Sequence, residues 1–437
     1  MVGERWETIT TIRDGLYDRI PLNAPESALM ATEAFLRLDR IQQLGFVSRV
    51  WPGAKHTRFE HSLGVMHLMR QGIAQLRRHD GPVTLSDHDA HTATATALLH
   101  DIGHYPFSHA IEELGPPILK HEQVGRRIIL GAEVSDVLTH VWGIDPLRVA
   151  DFIDPPGPPQ TPQDALIRGL LSGALDMDKL DSLPRDARAC NVPYGRVDTP
   201  RLLDALCVRE VNGAARIVVD DKGISPLHSL INARQEMFDN VYWHHTNRAC
   251  MAMLLRAVQE AMEAGVIAPE ELTTHDDASL LAFLSEPVMP DATRRLVAAL
   301  RSRRIHKRAV EVSARAGDLF QRLGALYYRP RDRRAAEITL AEMAAHMTGT
   351  EVHDSDVLID IPKPEKWSAD VWVEFDRPPI GFSPLMPWHE VVGAQTDDFR
   401  RYEEHRRLIR IVATDPLRDV LRREWANLVL PLLGGVL

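Results

Sequence analysis

The most constraining feature of this sequence is a polar pair, His100–Asp101, at the end of an apolar helical stretch. The preceding residues, Ala93 to Leu99, read ATATALL, and the following residues read IGHYPFSH. A polar pair at the end of a buried helix costs free energy unless it is paired or bound to a cation. Gly103 allows a sharp turn, which would return His104 and His109 toward the same point. The segment therefore predicts a buried polar site on a helical scaffold.

Histidine is concentrated around this pair, because ten of the 20 histidines lie between His56 and His121. Such a cluster indicates a metal or proton-transfer site, although several members are expected to be solvated helix histidines. His61 and Asp178 also fall on core-facing helical rows. A lone histidine there is more often a satisfied core residue than a ligand, whereas a buried aspartate requires a cation or an arginine.

Two imidazoles and two carboxylates together form a set that suits a divalent first-row metal. Such a metal lowers the pKa of its bound water. The expected ions are Mn, Fe, Zn, Ni or Co, with Mg on substrate phosphates. The proposed ligands are His61, His100, Asp101 and Asp178.

Hydrophobic periodicity predicts a mainly α fold with a small strand-containing C-terminal region. We expect a helical domain over residues 1–345 and a small α+β region over residues 346–437. Helices are predicted over Arg58–Arg78, from the cap Ser86 through Ala90–Leu99 to an end before Gly103, and over Lys120–Leu130, 162–189 kinked or loosened by Pro184, 227–263 with interruptions, 292–326 and 416–429. Strands are predicted at Val357–Ile361, Val371–Phe375 and Leu408–Val412.

Composition excludes several classes of protein. The net charge of −10 disfavours a duplex-DNA binder, and three scattered cysteines disfavour a disulfide framework. The charged N-terminus and the absence of a long apolar run predict a cytoplasmic protein without a membrane span. Arg294 to Arg334 holds 13 Lys/Arg against three Asp/Glu. One interpretation is that this run contacts phosphates or single-stranded nucleic acid. We favour the other interpretation, a solvated face paired with acidic neighbours.

Four runs in fixed order resemble the HD-domain deoxynucleoside triphosphate triphosphohydrolases, both the bacterial dGTPase-like enzymes and the vertebrate SAM-and-HD-domain dNTPase. These runs are RFEHSLGV (58–65), LLHDIGHYPFSH (98–109), KHEQ (120–123) and DMDKLD (176–181). The resemblance covers nearly the whole chain. It implies an HD-domain helical bundle, a homo-oligomer, and hydrolysis of a dNTP at the α-phosphorus to a nucleoside and inorganic triphosphate.

The resemblance also implies a role for each matching residue. His61, His100, Asp101 and Asp178 match the metal ligands. His121 matches the proton-transfer histidine, and Glu112 stands where the family has an aspartate that orients it. The remaining catalytic positions are His104 and His109. The substrate-binding positions are Gln43, Leu44, Arg58, Lys179, Ser182, Asp186, Arg234, Tyr242 and His244.

The sequence departs from the family pattern at two places. Ser182 replaces a tyrosine that encloses the substrate phosphates, so the pocket is expected to be wider or differently hydrogen-bonded. Ala31, Leu36 and Asp39 stand where nucleotide-activated relatives have Asp, Gln and Arg. We therefore predict that activation by dGTP of the usual kind is absent, and a change of activity with a mixed dNTP pool would contradict this.

Two other classes of function are compatible with parts of the sequence. An HD-type phosphodiesterase or nuclease would use the same site on single-stranded nucleic acid or another nucleotide, with the basic run as part of its channel. A non-catalytic nucleotide-binding regulator is disfavoured, because all four proposed metal ligands are present. Overall acidity and the KHEQ histidine favour the triphosphohydrolase.

Overall fold

The structure is a computed structural model that describes residues 6–78, 81–363 and 370–435. Its helices, in chain order, are α1 Ala24–Met30, α2 Glu33–Leu36, α3 Arg58–Leu76, α4 Asp87–Leu99, α5 His121–Leu130, α6 Ala132–Asp136, α7 Pro146–Ile153, α8 Pro162–Ser172, α9 Met177–Cys190, α10 Thr199–Asp204, α11 Ile224–Met237, α12 His245–Glu263, α13 Asp277–Phe283, α14 Asp291–Arg301, α15 Asp318–Ala325, α16 Pro330–Thr348, α17 Trp388–Val391, α18 Thr396–Arg406, α19 Leu417–Arg423 and α20 Trp425–Gly435. Its strands are β1 Thr10–Asp14, β2 Asp18–Leu22, β3 Leu206–Val211, β4 Ala214–Asp220, β5 Lys307–Val312, β6 Val357–Asp360, β7 Trp372–Glu374, β8 Leu385–Pro387 and β9 Ile409–Ala413.

Helices α3, α4 and α9 form the scaffold of the site, with α3 packed against both of the others. Thr57 caps α3, and Ser86 and Asp89 form a reciprocal capping box at the start of α4, which satisfies backbone N–H groups that would otherwise be unpaired. Val65 and Leu68 of α3 lie in the main hydrophobic core. The predicted α3 and α5 are confirmed within two residues at each end, and α4 begins after the predicted cap, Ser86, and ends before Gly103.

A close backbone contact joins the end of α4 to the start of α5. A Cβ on Gly103 would lie 2.1 Å from the carbonyl oxygen of His121 and 2.3 Å from the amide nitrogen of Gly125. Only glycine leaves room for this approach. The contact places His121, the first residue of α5, beside the His100–Asp101 turn.

The predicted helix over 162–189 is wrong in one respect, because the structure has two helices there. Helix α8 ends at Ser172. Asp176 caps α9 by accepting a hydrogen bond from the amide of Lys179 at 2.8 Å. This break places Asp178 in the first turn of α9. Pro184 does not end the helix, which continues to Cys190.

Strands occur earlier in the chain than predicted. β1 pairs with β2, and β3 pairs with β4, within residues that were expected to be helical. The predicted helix 292–326 ends at Arg301 and is followed by β5 before α15 begins. The predicted terminal helix is divided into α19 and α20. The overall class, mainly α with small sheets, is confirmed, as are the strands predicted near β6, β7 and β9.

Two sheets join the C-terminal region to the rest of the chain. One has the order β3-β4-β7-β8, with β4 and β7 parallel, and the other has the order β5-β9-β6. Strand pairing therefore crosses residue 345, and the division into domains at that point stays a prediction. Within the described residues, none of the helices is both long and apolar enough to cross a membrane.

Candidate active site

Two buried imidazoles direct their Nε2 atoms towards the same carboxylate, Asp101. His61, only 1% exposed, donates Nδ1–H to Asp181 Oδ2 at 2.7 Å, and His100 donates Nδ1–H to the carbonyl oxygen of Ala97 at 2.8 Å. Because a carbonyl oxygen can only accept, the neutral His100 ring carries its proton on Nδ1. The Nε2 atoms of both rings are buried and make no hydrogen bond.

Two carboxylates face these nitrogens. Asp101 Oδ1 lies 3.3 Å from His100 Nε2, and Asp178 Oδ1 lies 3.1 Å from His61 Nε2. Asp101 is buried, whereas the Asp178 side chain is 43% exposed at the edge of a cavity. Orphaned imidazole nitrogens facing carboxylate oxygens are the donor set of a divalent metal site. His61, His100 and Asp101 form a cluster that can hold a metal ion, and Asp178 as fourth ligand stays a prediction.

A buried ion pair supports His61 from behind. Arg185 donates from Nε to Asp181 Oδ2 and from Nη2 to Asp181 Oδ1, both at 2.9 Å, and from Nη1 to Asp14 Oδ2 at 2.8 Å. Burial opposes the ionisation of Asp181, but the Arg185 guanidinium lowers its pKa below the usual value. An ionised Asp181 fixes the orientation and tautomer of the His61 ring. Sequence reasoning did not identify Asp181, Arg185 or Asp14.

Charged neighbours shift the pKa values of His61 and Asp101. Burial opposes protonation of His61, but the carboxylates of Asp178 and Asp181 raise its pKa to about 10. Burial also opposes ionisation of Asp101, but Arg58 lowers its pKa well below the usual value. Arg58 Nη1 donates to Asp101 Oδ2 at 2.5 Å. Asp101 is therefore ionised, whereas His61 must lose a proton before its Nε2 can bind a cation.

The second feature of the site is a histidine–carboxylate pair. His121 Nδ1 lies 2.7 Å from Glu112 Oε1. Burial opposes the charged form of each group, but Glu112 raises the pKa of His121, and His109 together with His121 lowers the pKa of Glu112. The structure thus brings together the predicted proton-transfer residue and the carboxylate expected to orient it.

His104 and His109 lie against this pair. The His104 ring stacks on the His121 ring, with 3.9 Å between ring centroids, and meets His109 edge-on at 4.6 Å. Burial and the neighbouring Arg58 lower the pKa of His104 well below its usual value, so this ring is neutral. His104 Nε2 lies 3.2 Å from Asp101 Oδ1. The two histidine groups therefore adjoin each other at Asp101.

Both groups open into one cavity of about 710 Å³. The predicted site residues that line it are Gln43, Leu44, Arg58, His100, Asp101, His104, His109, Glu112, His121, Asp178, Lys179, Ser182, Asp186, Arg234 and Tyr242. His61 lies behind the lining, buried against Asp181. His244 is not among the lining residues; it caps α12, and its ring lies 5.3 Å from the Trp51 ring. Its role as a substrate contact stays a prediction.

Several polar side chains of the cavity wall are held by neighbours. Tyr242 donates its hydroxyl to Asp186 Oδ2 at 2.6 Å, and the other oxygen of Asp186 lies 2.7 Å from His56 Nε2. Lys179 Nζ contacts the Asp176 carboxylate and donates to the carbonyl oxygen of Gly173 at 3.1 Å. These contacts fix polar groups along one side of the cavity before any ligand enters.

Arg248 is a further wall residue that sequence reasoning missed. It donates to the two Glu113 oxygens at 2.8 and 3.0 Å and to Asp360 Oδ1 at 2.5 Å. Glu113 adjoins Glu112, and Asp360 belongs to β6. Arg248 therefore connects the wall that carries Glu112 to the C-terminal sheet. The only hint in the sequence is its position within the apolar helix α12.

The basic run Arg294–Arg334 is partly neutralised by acidic neighbours, in agreement with the favoured interpretation as a solvated, paired face. Arg308 pairs with Glu311 at 2.9 Å, and Arg334 pairs with Glu260 and Glu263 at 2.8 Å. Among the described residues that line the cavity, none comes from Arg294–Arg334. The run therefore supplies no wall of this cavity.

Comparison with known proteins agrees with this arrangement. Residues 58–143 match the HD domain family, and residues 197–375 match the family described as HD associated region. An uncharacterized protein of Methanocaldococcus jannaschii is 34% identical over 274 residues, which are 62% of this chain and 54% of that protein. Human deoxynucleoside triphosphate triphosphohydrolase SAMHD1 is 28% identical over an alignment of 283 residues, and the alignment covers 58% of this chain and 45% of that protein.

Solved structures share the fold. A hypothetical protein from Aquifex aeolicus superposes with a TM-score of 0.71 at 23% identity, over 95% of this chain and 99% of that chain. A phosphohydrolase from Bacteroides thetaiotaomicron superposes with a TM-score of 0.69 at 22% identity, over 93% of this chain and 99% of that chain.

The fold and the site together define an HD domain followed by an HD-associated region. The chain has relatives that are named as deoxynucleoside triphosphate triphosphohydrolases. It spans about half the length of the curated relatives it matches.

Proposed function

We propose that this protein hydrolyses deoxynucleoside triphosphates to a deoxynucleoside and inorganic triphosphate. The observation that carries the proposal is the joint opening of two groups into one cavity, namely the His61, His100, Asp101 and Asp178 set and the His121–Glu112 pair. A volume of about 710 Å³ lies within the range of small-molecule pockets. The named activity of the SAMHD1 relatives supports the same substrate class.

The metal set would hold a divalent cation through His61 Nε2, His100 Nε2 and the two aspartates. When bound, such a cation activates water and neutralises phosphate charge. Arg58 reinforces this neutralisation, because its guanidinium lies at the cavity wall beside Asp101. Lys179 and Arg234 add further cationic side chains to the lining, which favours a polyanionic ligand.

His121 would supply the proton for the leaving group. Its Nδ1 is engaged by Glu112, so the proton must leave from Nε2. Water adds to the α-phosphorus and releases a proton to solvent as the bond to the 5′-oxygen breaks. The 5′-oxygen takes the proton from His121, and solvent then reprotonates His121. Glu112 remains ionised throughout and holds the ring in one orientation, which is the usual role of a carboxylate behind a catalytic imidazole.

The sugar and base would contact other residues that line the cavity. Gln43 and Leu44 line it near Arg58, while Tyr242 and Asp186 line it as a hydrogen-bonded pair. Fixed polar groups of this kind give orientation and selectivity to a mainly preformed pocket. Ser182, in place of the family's tyrosine, leaves extra room beside the phosphates, and substrate choice among dNTPs is where we expect its effect.

Product analysis tests the proposal directly. Purified protein with Mn²⁺ is incubated with each dNTP, with all four together, and with a single-stranded oligonucleotide. Nucleoside plus inorganic triphosphate is the expected result. Intact dNTPs with a shortened oligonucleotide would refute it in favour of a nuclease. His121→Ala tests the role of the proton donor, and His88→Ala, at an exposed histidine of α4, is the matched control.

A further inference from the structure

A second group of potential metal ligands lies beside the HD set. His104, His109, Glu112 and His121 each offer one ligand atom, and these atoms all lie within 4.8 Å of one another. Around a tetrahedral ion with bonds of about 2.0–2.1 Å, ligand atoms lie about 3.3 Å apart. Small side-chain movements would therefore bring the four atoms onto one cation.

His104 provides an independent indication of a ligand. Its side chain is 0% exposed, and neither ring nitrogen makes a hydrogen bond. A buried imidazole without a hydrogen-bond partner costs free energy. The ring stacks on His121 and meets His109 edge-on. Of its two unsatisfied nitrogens, one lies within 4.8 Å of the ligand atoms of the other three residues. Coordination of a cation would satisfy that nitrogen.

We propose that these four residues bind a second transition-metal cation of the zinc type, and that its binding inhibits the enzyme. Three imidazoles and one carboxylate suit zinc better than manganese or magnesium, which favour oxygen ligands. The inhibition rests on the proposed function, because a cation on His121 and Glu112 would remove His121 from proton transfer. The HD set, with two carboxylates, would still accept manganese.

Zinc counting tests the site without any reaction. Metal-free protein is titrated with Zn²⁺ in competition with a chromophoric chelator. Wild type is expected to bind two equivalents, and His109→Ala and Glu112→Gln are expected to weaken one of them at least about tenfold. His109 suits this purpose because its side chain is 62% exposed, so its removal leaves the core intact. His88→Ala controls for loss of a surface histidine.

Asp178→Ala distinguishes the two sites. This variant should weaken the binding of the zinc ion whose affinity is unchanged in His109→Ala. It should leave the affinity of the other zinc ion unchanged. A single equivalent in wild type would overturn the proposal. Two equivalents that are both unaffected by His109→Ala and by Glu112→Gln would also overturn it.

Inhibition is measured on the Mn²⁺-loaded protein with a dNTP as substrate. Zinc should inhibit wild type, and the zinc concentration for half inhibition should rise at least about tenfold in His109→Ala, with activity expressed relative to each variant's own zinc-free rate. Equal sensitivity of the two proteins would show that zinc acts at the HD set and would overturn the inhibitory role. If wild type hydrolyses no dNTP, the proposed function fails, and zinc counting alone decides whether the second site exists.

Discussion

Replacement of Gly64 by alanine tests the ion pair behind His61. A Cβ at this position on α3 would lie 1.8 Å from Asp181 Oδ1 and 2.6 Å from Arg185 Nη2. Alanine in a helix interior is favoured over glycine by about 1 kcal/mol, so helix propensity alone predicts stabilisation. Disruption of a buried ion pair costs about 3–5 kcal/mol. We therefore expect Gly64→Ala to destabilise the protein by about 2–4 kcal/mol, the difference between these effects.

The midpoint of denaturant unfolding, compared with that of Gly72→Ala, measures this effect. Gly72 lies on the same helix, and a Cβ there would meet Met177 Cε at 3.3 Å, the end of a flexible side chain. The control should stay within about 1 kcal/mol of wild type. Because Asp181 orients His61, metal affinity of Gly64→Ala should also fall about 10–100-fold. A variant as stable as wild type, with unchanged metal affinity, would refute the reasoning.

Three further predictions concern the metal set and the proton donor. Glu112→Gln removes the charge that raises the pKa of His121. The alkaline limb of the kcat–pH profile should therefore move to lower pH. An alkaline limb that does not move would show that the limb does not arise from His121. Asp101→Ala and Asp178→Ala should abolish turnover and lower the metal content. His121→Ala should keep the metal and reduce the rate by a factor of about 10²–10⁴. Elemental analysis beside the rate assay distinguishes loss of metal from loss of proton transfer. Metal binding should release a proton from His61, whose pKa is about 10 without metal, and the metal affinity should therefore weaken as pH falls. Calorimetry in buffers of different ionisation enthalpy would detect that proton. A metal affinity that does not change with pH would contradict the prediction.

Local patterns were sufficient to predict α3 and α4, two of the helices that carry the site. Ser86 and the apolar periodicity of α4 depend only on neighbouring residues, and the polar His100–Asp101 pair at its end is visible in the sequence. The second layer could not be predicted in the same way. Arg185 reaches Asp14 across 171 residues of sequence, and no local pattern indicates that these side chains meet.

The strands that were missed have two different causes. β3 and β4 flank Asn212-Gly213, whose φ angles are +53° and +78°; this is a recognised hairpin signal that was overlooked among helical patterns. β5 has no such signal, since its residues KRAVEV alternate only weakly in burial. It is a strand because β9 pairs with it, so long-range pairing decides its conformation.

The order of strands in the sheet β5-β9-β6 affects folding during synthesis. The central strand, β9, comes last of the three in the chain and pairs with both neighbours. β5 and β6 therefore leave the ribosome without a partner, and their backbone groups stay unpaired until residues 409–413 emerge. Unpaired strand edges promote aggregation. A nascent chain of this protein should thus depend most on chaperones just before its last strand is made.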